Sequence, residues 1–259
     1  MVHKIQSYIK FLKRSSNQHG VHSPFVYNFI TKCLYNHDEY DGNYEHFKEF
    51  KASLLKNDNT INVTDFGAGS KLFKSNTRKI SAIAKNAGIS NKRSYLLYKI
   101  AHFFKPTEIL EIGTSLGMAT ASLSLANPNA NITSLEGCPE TAKIAQNQFN
   151  TLRLKNIHLL IGDFKNTLQR TISNKKYDLI YFDGNHQEDA TIAYFERCLT
   201  TVHNETVFIF DDIHWSKGME NAWEYIKNHD KTTISIDTYQ WGIVFFRKEQ
   251  PKEHFTIRV

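Results

Sequence analysis

Glu108-Ile109-Leu110-Glu111-Ile112-Gly113-Thr114-Ser115-Leu116-Gly117 is the stretch on which the fold turns. A short apolar run ends at Gly113, and Gly117 opens a second run, Met118–Ala126, that Asn127-Pro128 closes. The pattern is that of a strand, a tight turn and a helix, with glycines that let backbone approach a ligand closely. The same alternation continues downstream. Strands are predicted at 131–135, 157–161, 177–182 and 206–210, and helices at 139–152, 165–173, 190–199 and 219–228. Segments 232–238 and 242–247 close the series as two strands that pair as a hairpin. Strands alternating with helices of about 10 residues indicate an α/β fold with a mostly parallel sheet and helices on both faces. A terminal antiparallel hairpin is an edge that such a sheet accepts.

Upstream the reading is different. Residues 1–105 form a mainly helical N-terminal extension, and residues 106–259 form the ligand-binding domain. Ile5, Ile9 and Leu12 share one helical face. The run His19-Gly20-Val21-His22-Ser23-Pro24 breaks that helix, and Pro24 starts the next, which carries Phe25, Phe29, Ile30 and Cys33. The extension carries 17 Lys and Arg against 7 Asp and Glu, whereas residues 106–259 carry 15 against 19. A basic leading segment points to an anionic substrate, nucleic acid or a membrane surface, or to a solvated Lys-rich face.

Bulk properties exclude several classes. An apolar fraction of 41% supports a packed core. No window reaches the roughly 18 apolar residues of a membrane span. Lys4, Lys10, Lys13 and Arg14 precede no apolar segment with a cleavage site, so no signal peptide is read. Cys33, Cys138 and Cys198 are scattered without a C-x-x-C pair, which fits a reducing cytoplasm rather than a disulfide or zinc framework.

The chemistry-bearing residues sit at successive strand ends. Glu111, Gly113, Thr114, Ser115 and Gly117 follow the first strand of the repeat. Glu136 and Gly137 follow the second, where a carboxylate suits ribose hydroxyls. Gly162 and Asp163 follow the third, where an adenine amino group is met. Ser115 breaks the G-x-G-x-x-G of dinucleotide sites, and no Walker motif is present. Small Thr114 and Ser115 beside Glu111 suit a charged amino-acid tail better than a pyrophosphate.

Residues 107–247 resemble a class I S-adenosylmethionine (SAM)-dependent methyltransferase, in particular the small-molecule O-methyltransferases that include catechol O-methyltransferase. The resemblance rests on Ile109–Gly117, Ser134–Gly137, Ile161–Asp163, Asp178–His186 and Phe208–Asp212. It implies a Rossmann-like seven-stranded sheet, SAM as cofactor and transfer of a methyl group to a small hydroxylated acceptor. Asp183-Gly184-Asn185-His186 and Asp211-Asp212-Ile213-His214 end the fourth and fifth strands. Three converging carboxylates repel unless protonated or bound to a cation, and Mg²⁺ is the expected partner of Asp183, Asp211 and Asp212. Acids at these strand ends bind the metal in metal-dependent relatives. Two departures from that pattern stand out. Asp211-Asp212 replaces an Asp-Asn pair, and His186 stands in place of a lysine base. His186 is the first candidate base and His214 the second. Asp183 is also a candidate cofactor contact. In the competing reading, Asp183 and Asp211 contact SAM or cap helices and His186 bonds a loop.

A second glycine loop, Asp65-Phe66-Gly67-Ala68-Gly69-Ser70, mimics a cofactor loop, but no strand–helix repeat follows it. It reads as a turn in the extension that is either a solvated basic turn or lines the substrate mouth, with Lys71, Lys74, Arg78 and Lys79 nearby to meet an anionic group. Tyr8, Phe25, Tyr27, Phe29, Trp215, Tyr239 and Trp241 are candidate wall, core or interface residues, and Trp215 is expected to reach the cleft. The aromatic N-terminal helices suit a homodimer. An RNA or protein methyltransferase docking through the basic segment is the main alternative, although no stripe of interleaved aromatic and basic residues supports nucleic acid. A non-catalytic nucleotide-binding protein and a nicotinamide oxidoreductase share the fold.

Overall fold

The computed structural model describes residues 2–36, 43–64 and 75–259. The Asp65–Ser70 loop, with Lys71 and Lys74, lies outside the described residues. The helices in chain order are α1 Val2–Arg14, α2 Pro24–Phe29, α3 Asn43–Leu55, α4 Ile80–Asn86, α5 Asn91–Phe104, α6 Met118–Ala126, α7 Pro139–Thr151, α8 Phe164–Ile172, α9 Glu188–Cys198 and α10 Lys217–Asn228. The strands are β1 Thr60–Asn62, β2 Thr77–Lys79, β3 Glu108–Ile112, β4 Asn131–Glu136, β5 Ile157–Ile161, β6 Leu179–Phe182, β7 Val207–Asp211, β8 Ile234–Asp237, β9 Trp241–Phe245 and β10 Glu253–Thr256. None of the described helices is long and apolar enough to cross a membrane.

The chain divides into two compact units, residues 38–173 and residues 1–37 with 174–259. This division differs from the boundary at 105/106 drawn from sequence. Hydrophobic periodicity shows that a helix has an apolar face but not which strands that face covers.

In the unit of residues 38–173, β3, β4 and β5 run parallel in register, with Ile112 opposite Leu135 and Glu136 opposite Ile161. Buried Ile109, Leu110, Ile112, Ile132 and Leu135 form its centre. Caps set the helix ends. Ser90 Oγ accepts from the Arg93 amide at the start of α5, and Lys105 takes a left-handed φ of 49° just before Pro106. β1 and β2 pair with each other antiparallel. The strand that precedes the second glycine loop therefore belongs to a separate hairpin and not to the parallel sheet.

In the other unit, β6 and β7 are parallel, with Phe182 opposite Phe210. β9 runs against both β7 and β8, and β10 lies parallel to β8. The expected hairpin is present as β8 and β9, while β10 is an addition. The two units hold three and five sheet strands, so the count is eight instead of the predicted seven. Residues 2–36 pack in this unit. Ser23 caps α2 with Pro24 in its first turn, as the sequence predicts, and the helix continues as a π turn over Ile30–Leu34. Phe25 and Phe29 meet Phe245 edge-on at 5.0 and 5.7 Å.

Candidate functional site

Within residues 38–173, three parallel strands deliver their C-terminal ends side by side. After β3 the chain turns through Gly113 at φ 108°, Ser115 at φ 50° and Gly117 at φ 81°. A side chain at Gly117 would place its Cβ 2.5 Å from the Phe149 ring, so glycine is required there both by φ and by packing. The amides of Gly113 and Thr114 donate to the Leu135 carbonyl at 3.0 and 3.1 Å, which ties the turn to β4. Glu136 then clamps the loop: one carboxylate oxygen accepts the Ser115 amide at 2.6 Å and the other the Cys138 amide at 2.8 Å. Burial pushes the Glu136 pKa up, opposed by these amide bonds. The structure thus brings together Gly113, Thr114, Ser115, Gly117, Glu136, Gly137, Gly162 and Asp163.

Three members of the predicted set have internal duties. Glu111 is fully buried and accepts from the hydroxyls of Thr120 and Ser134. Thr114 joins the same network through Ser134. Glu111 therefore stiffens the base of the loop. Asp163 caps α8 by accepting the Lys165 amide at 2.8 Å, and Gly162 precedes it at φ 146°.

The second constellation lies in the other unit. Asp183 follows the last residue of β6, and Asp211 ends β7. Asp183, His186 and Asp211 converge with ligand atoms all within 4.8 Å of one another. His186 Nε2 lies 3.5 Å from Asp183 Oδ1, and the Tyr181 hydroxyl donates to Asp183 Oδ2 at 3.4 Å. Asp211 is buried and accepts from the Trp241 indole N–H at 2.6 Å. Burial by itself lowers the His186 pKa. The hydrogen bond and charge of Asp183, with the charges of Asp211 and Asp212, outweigh it and raise the value to about 9. At neutral pH His186 is thus an imidazolium that answers the carboxylates. A small pocket beside the cluster is lined by Phe182, Gly184, Thr191, Tyr194, Phe210 and Met219 as well as His186 and Asp211. Asn185 Oδ1 is buried with no hydrogen-bond partner among the described residues.

Four further residues singled out from the sequence stand outside that trio. Asp212 is not in the group of three, although its charge is among those that raise the His186 pKa. It sits at φ 52°, past the end of β7, where the chain leaves the strand direction. His214 has both ring nitrogens engaged: Nδ1 lies 3.2 Å from Glu220 Oε1 and Nε2 lies 2.9 Å from Asp237 Oδ2, while the ring stacks on Tyr239 at 5.2 Å. Burial lowers its pKa, but Asp237 and Glu220 raise it above the ordinary histidine value. Trp215 lies under the Lys4 ammonium, 3.3 Å from the ring centroid. Trp241, which sequence reading placed only in a general aromatic wall, holds Asp211 instead. The signal for it is the pairing of Asp211 with Trp241 across β7 and β9. Thr191 and Tyr194, one helical turn apart on α9, are pocket residues that the sequence reading missed.

The three cysteines are buried, and burial pushes the Cys198 thiol up, away from the activated range.

A family model described as a methyltransferase domain matches residues 110–213, a span that includes both constellations. Among curated proteins, a tRNA (guanine-N(7)-)-methyltransferase from Mycoplasma mobile is 34% identical over 80 residues, or 31% of this chain. The chain covers 39% of that relative's length. Similar solved structures include the SAH-bound methyltransferase PaMTH1 from Podospora anserina, at TM-score 0.61 and 15% identity over 88% of this chain and 97% of that one. An O-methyltransferase from Bacillus cereus in complex with SAH gives TM-score 0.55 and 18% identity, covering 81% and 92%. The O-methyltransferase TomG from Streptomyces achromogenes, in complex with SAM, gives 0.53 and 17%, covering 61% and 81%. At these identities the structural likeness establishes the fold.

Proposed function

Starting from residues 110–213 as a SAM-dependent methyltransferase domain of the class I fold, we propose that the protein methylates a hydroxyl of a small acceptor. The observation that carries this reading is the mixed carboxylate–imidazole cluster of Asp183, His186 and Asp211 at two adjacent strand ends. SAM supplies an activated methyl group on a sulfonium. Gly113 and Gly117 admit the donor close to backbone, and Glu136, already fixed by two amides, presents its remaining lone pairs to ribose hydroxyls.

The acceptor oxygen must shed a proton as it forms its bond to the methyl carbon and the carbon–sulfur bond breaks. Asp183 orients His186, and His186 takes the proton once it has lost its own. Asp211, held by Trp241, keeps the second carboxylate facing the imidazole. The donor set also fits a divalent cation. Two carboxylates and one imidazole suit Mn²⁺, Fe²⁺ or Zn²⁺ more than Mg²⁺, which favours an all-oxygen set. Bound there, such an ion lowers the pKa of the acceptor hydroxyl.

The test is formation of S-adenosylhomocysteine from SAM in the presence of a panel of phenols and catechols, with and without chelator and added Mn²⁺. Turnover on hydroxylated acceptors supports the reading, and turnover on transfer RNA alone replaces it. That second reading is favoured by the local likeness to a tRNA methyltransferase and predicts salt-dependent RNA binding.

A further inference from the structure

The first helix packs with the wrong side inward for an ordinary amphipathic helix. On α1 the buried residues are Ser7 and Phe11, while Ile5 is 56% exposed, Ile9 48%, Tyr8 47% and Leu12 37%. At about 100° per residue, these four exposed side chains occupy an arc of about 100°. Lys13 lies about 40° beyond Ile9 and borders the apolar arc on that side, while Lys4, about 40° beyond Tyr8, holds its ammonium over the Trp215 ring. Lys10 and Arg14 add further charge, and the helix contains no acidic residue.

This outward face is fixed. Ser7 Oγ donates to Glu220, the Tyr239 hydroxyl donates to the Lys4 carbonyl at 2.9 Å, and Tyr8 and Phe11 pack on the Tyr239 ring at 4.8 and 5.4 Å. Rolling the helix to bury Ile5 and Ile9 would break all of these contacts. A covering partner therefore comes from outside, and the Lys and Arg residues of a helix without carboxylates favour an anionic one. A second copy is disfavoured, because pairing α1 with itself sets lysines against lysines with no carboxylate on the helix to answer them. An apolar arc bordered by Lys13, on a helix with further basic residues and no acidic one, matches a helix lying in the plane of an anionic lipid surface. There the aliphatic side chains enter the acyl boundary and the Lys13 head reaches the phosphates.

We propose that α1 docks this protein onto anionic lipid bilayers. The experiment is co-sedimentation of the full chain with phosphatidylcholine vesicles, with or without phosphatidylglycerol, at low and high salt. The expected result is binding to the phosphatidylglycerol vesicles only, weakened by salt. In the triple variant Ile5→Ser, Ile9→Ser, Leu12→Ser the affinity falls at least about tenfold, with an unchanged thermal midpoint as the check on folding. The variant Lys10→Glu, Lys13→Glu leaves the apolar arc intact and loses the preference for phosphatidylglycerol, so the test survives if the serine variant misfolds. Absence of vesicle binding, or equal binding to both vesicle types, overturns the proposal. A wild-type dimer that the serine substitutions split also overturns it, and assigns the face to a second copy.

Discussion

His186 and His214 follow adjacent parallel strands, and each faces two carboxylates, yet the two regions are built for different ends. His214 is closed: Glu220 and Asp237 engage both ring nitrogens, Tyr239 covers the ring, and Glu220 also accepts from Ser7 of α1. His186 is open: its carboxylate neighbours are 3.5 Å or more away by the nearest ion-pair distance, and a pocket lies beside it. Carboxylates raise both histidines. A raised pKa marks a charged neighbourhood, and a place on the lining of a pocket is what separates the proposed reactive histidine from the clasp. His214 ties α1 and the segment after β7 to β8. His186 keeps donor capacity for an acceptor or an ion.

The largest test of this contrast is catalytic. His186→Gln is expected to lower the methyl-transfer rate about 10²- to 10⁴-fold, while His214→Gln leaves the rate at a stabilising temperature near wild type. Initial rates of S-adenosylhomocysteine formation measure both. In the wild-type enzyme the rate should rise with pH and level off above about 9, because His186 must lose its own proton before accepting another.

Next in size is the support behind Asp211. Trp241→Phe removes the indole donor to the buried Asp211 carboxylate, at a cost of about 1–3 kcal/mol. Urea unfolding measures that loss. The same substitution should leave the pH dependence that arises from His214 in place.

The clasp has its own signature. Its carboxylates raise the folded-state pKa of His214, so its stabilisation is complete below the ordinary histidine value and disappears as pH rises through the raised folded value. The stability gap between wild type and His214→Gln should be of the order of 1 kcal/mol at pH 6 and should shrink as the pH rises through the raised value. A gap that grows with pH would contradict the clasp. The smallest expected effect is at Asp212. Asp212→Asn should change Mn²⁺ affinity little in calorimetric titration, whereas Asp183→Asn should abolish the binding, because Asp212 stands outside the cluster.

Much of this architecture is legible in the sequence, and the failures have physical causes. β3 through β9 announce themselves as apolar or β-branched runs, most of them bounded by turn residues. β10, Glu253-His254-Phe255-Thr256, has one large apolar residue and gains its place by pairing with β8, which no local pattern signals. The loop at Gly113–Gly117 and the strand-end position of Glu136 were readable from the strand–helix alternation, but the hold of Glu136 on the Ser115 and Cys138 amides was not. The burial of Glu111 was not, since a strand covered on both faces lacks the alternation that tells inward from outward. Asp183 and Asp211 were readable as strand-end acids. His186, three residues after Asp183, was readable with them, whereas the place of Asp212 depends on a left-handed backbone at 212, and an aspartate there leaves no mark in the sequence as a glycine would. Asp237, the partner of His214, lies 23 residues away on β8, where only the fold brings it close.

The central claim is that methyl transfer depends on the open cluster and not on the clasp. It is tested most directly by the ratio of single-turnover methyl-transfer rates for His186→Gln and His214→Gln, measured at saturating SAM and pH 7 on an accepted phenol. The account predicts that His186→Gln is slower by about two orders of magnitude or more while both variants bind SAM as tightly as wild type. Equal rates for the two variants, or a greater loss in His214→Gln, would contradict it.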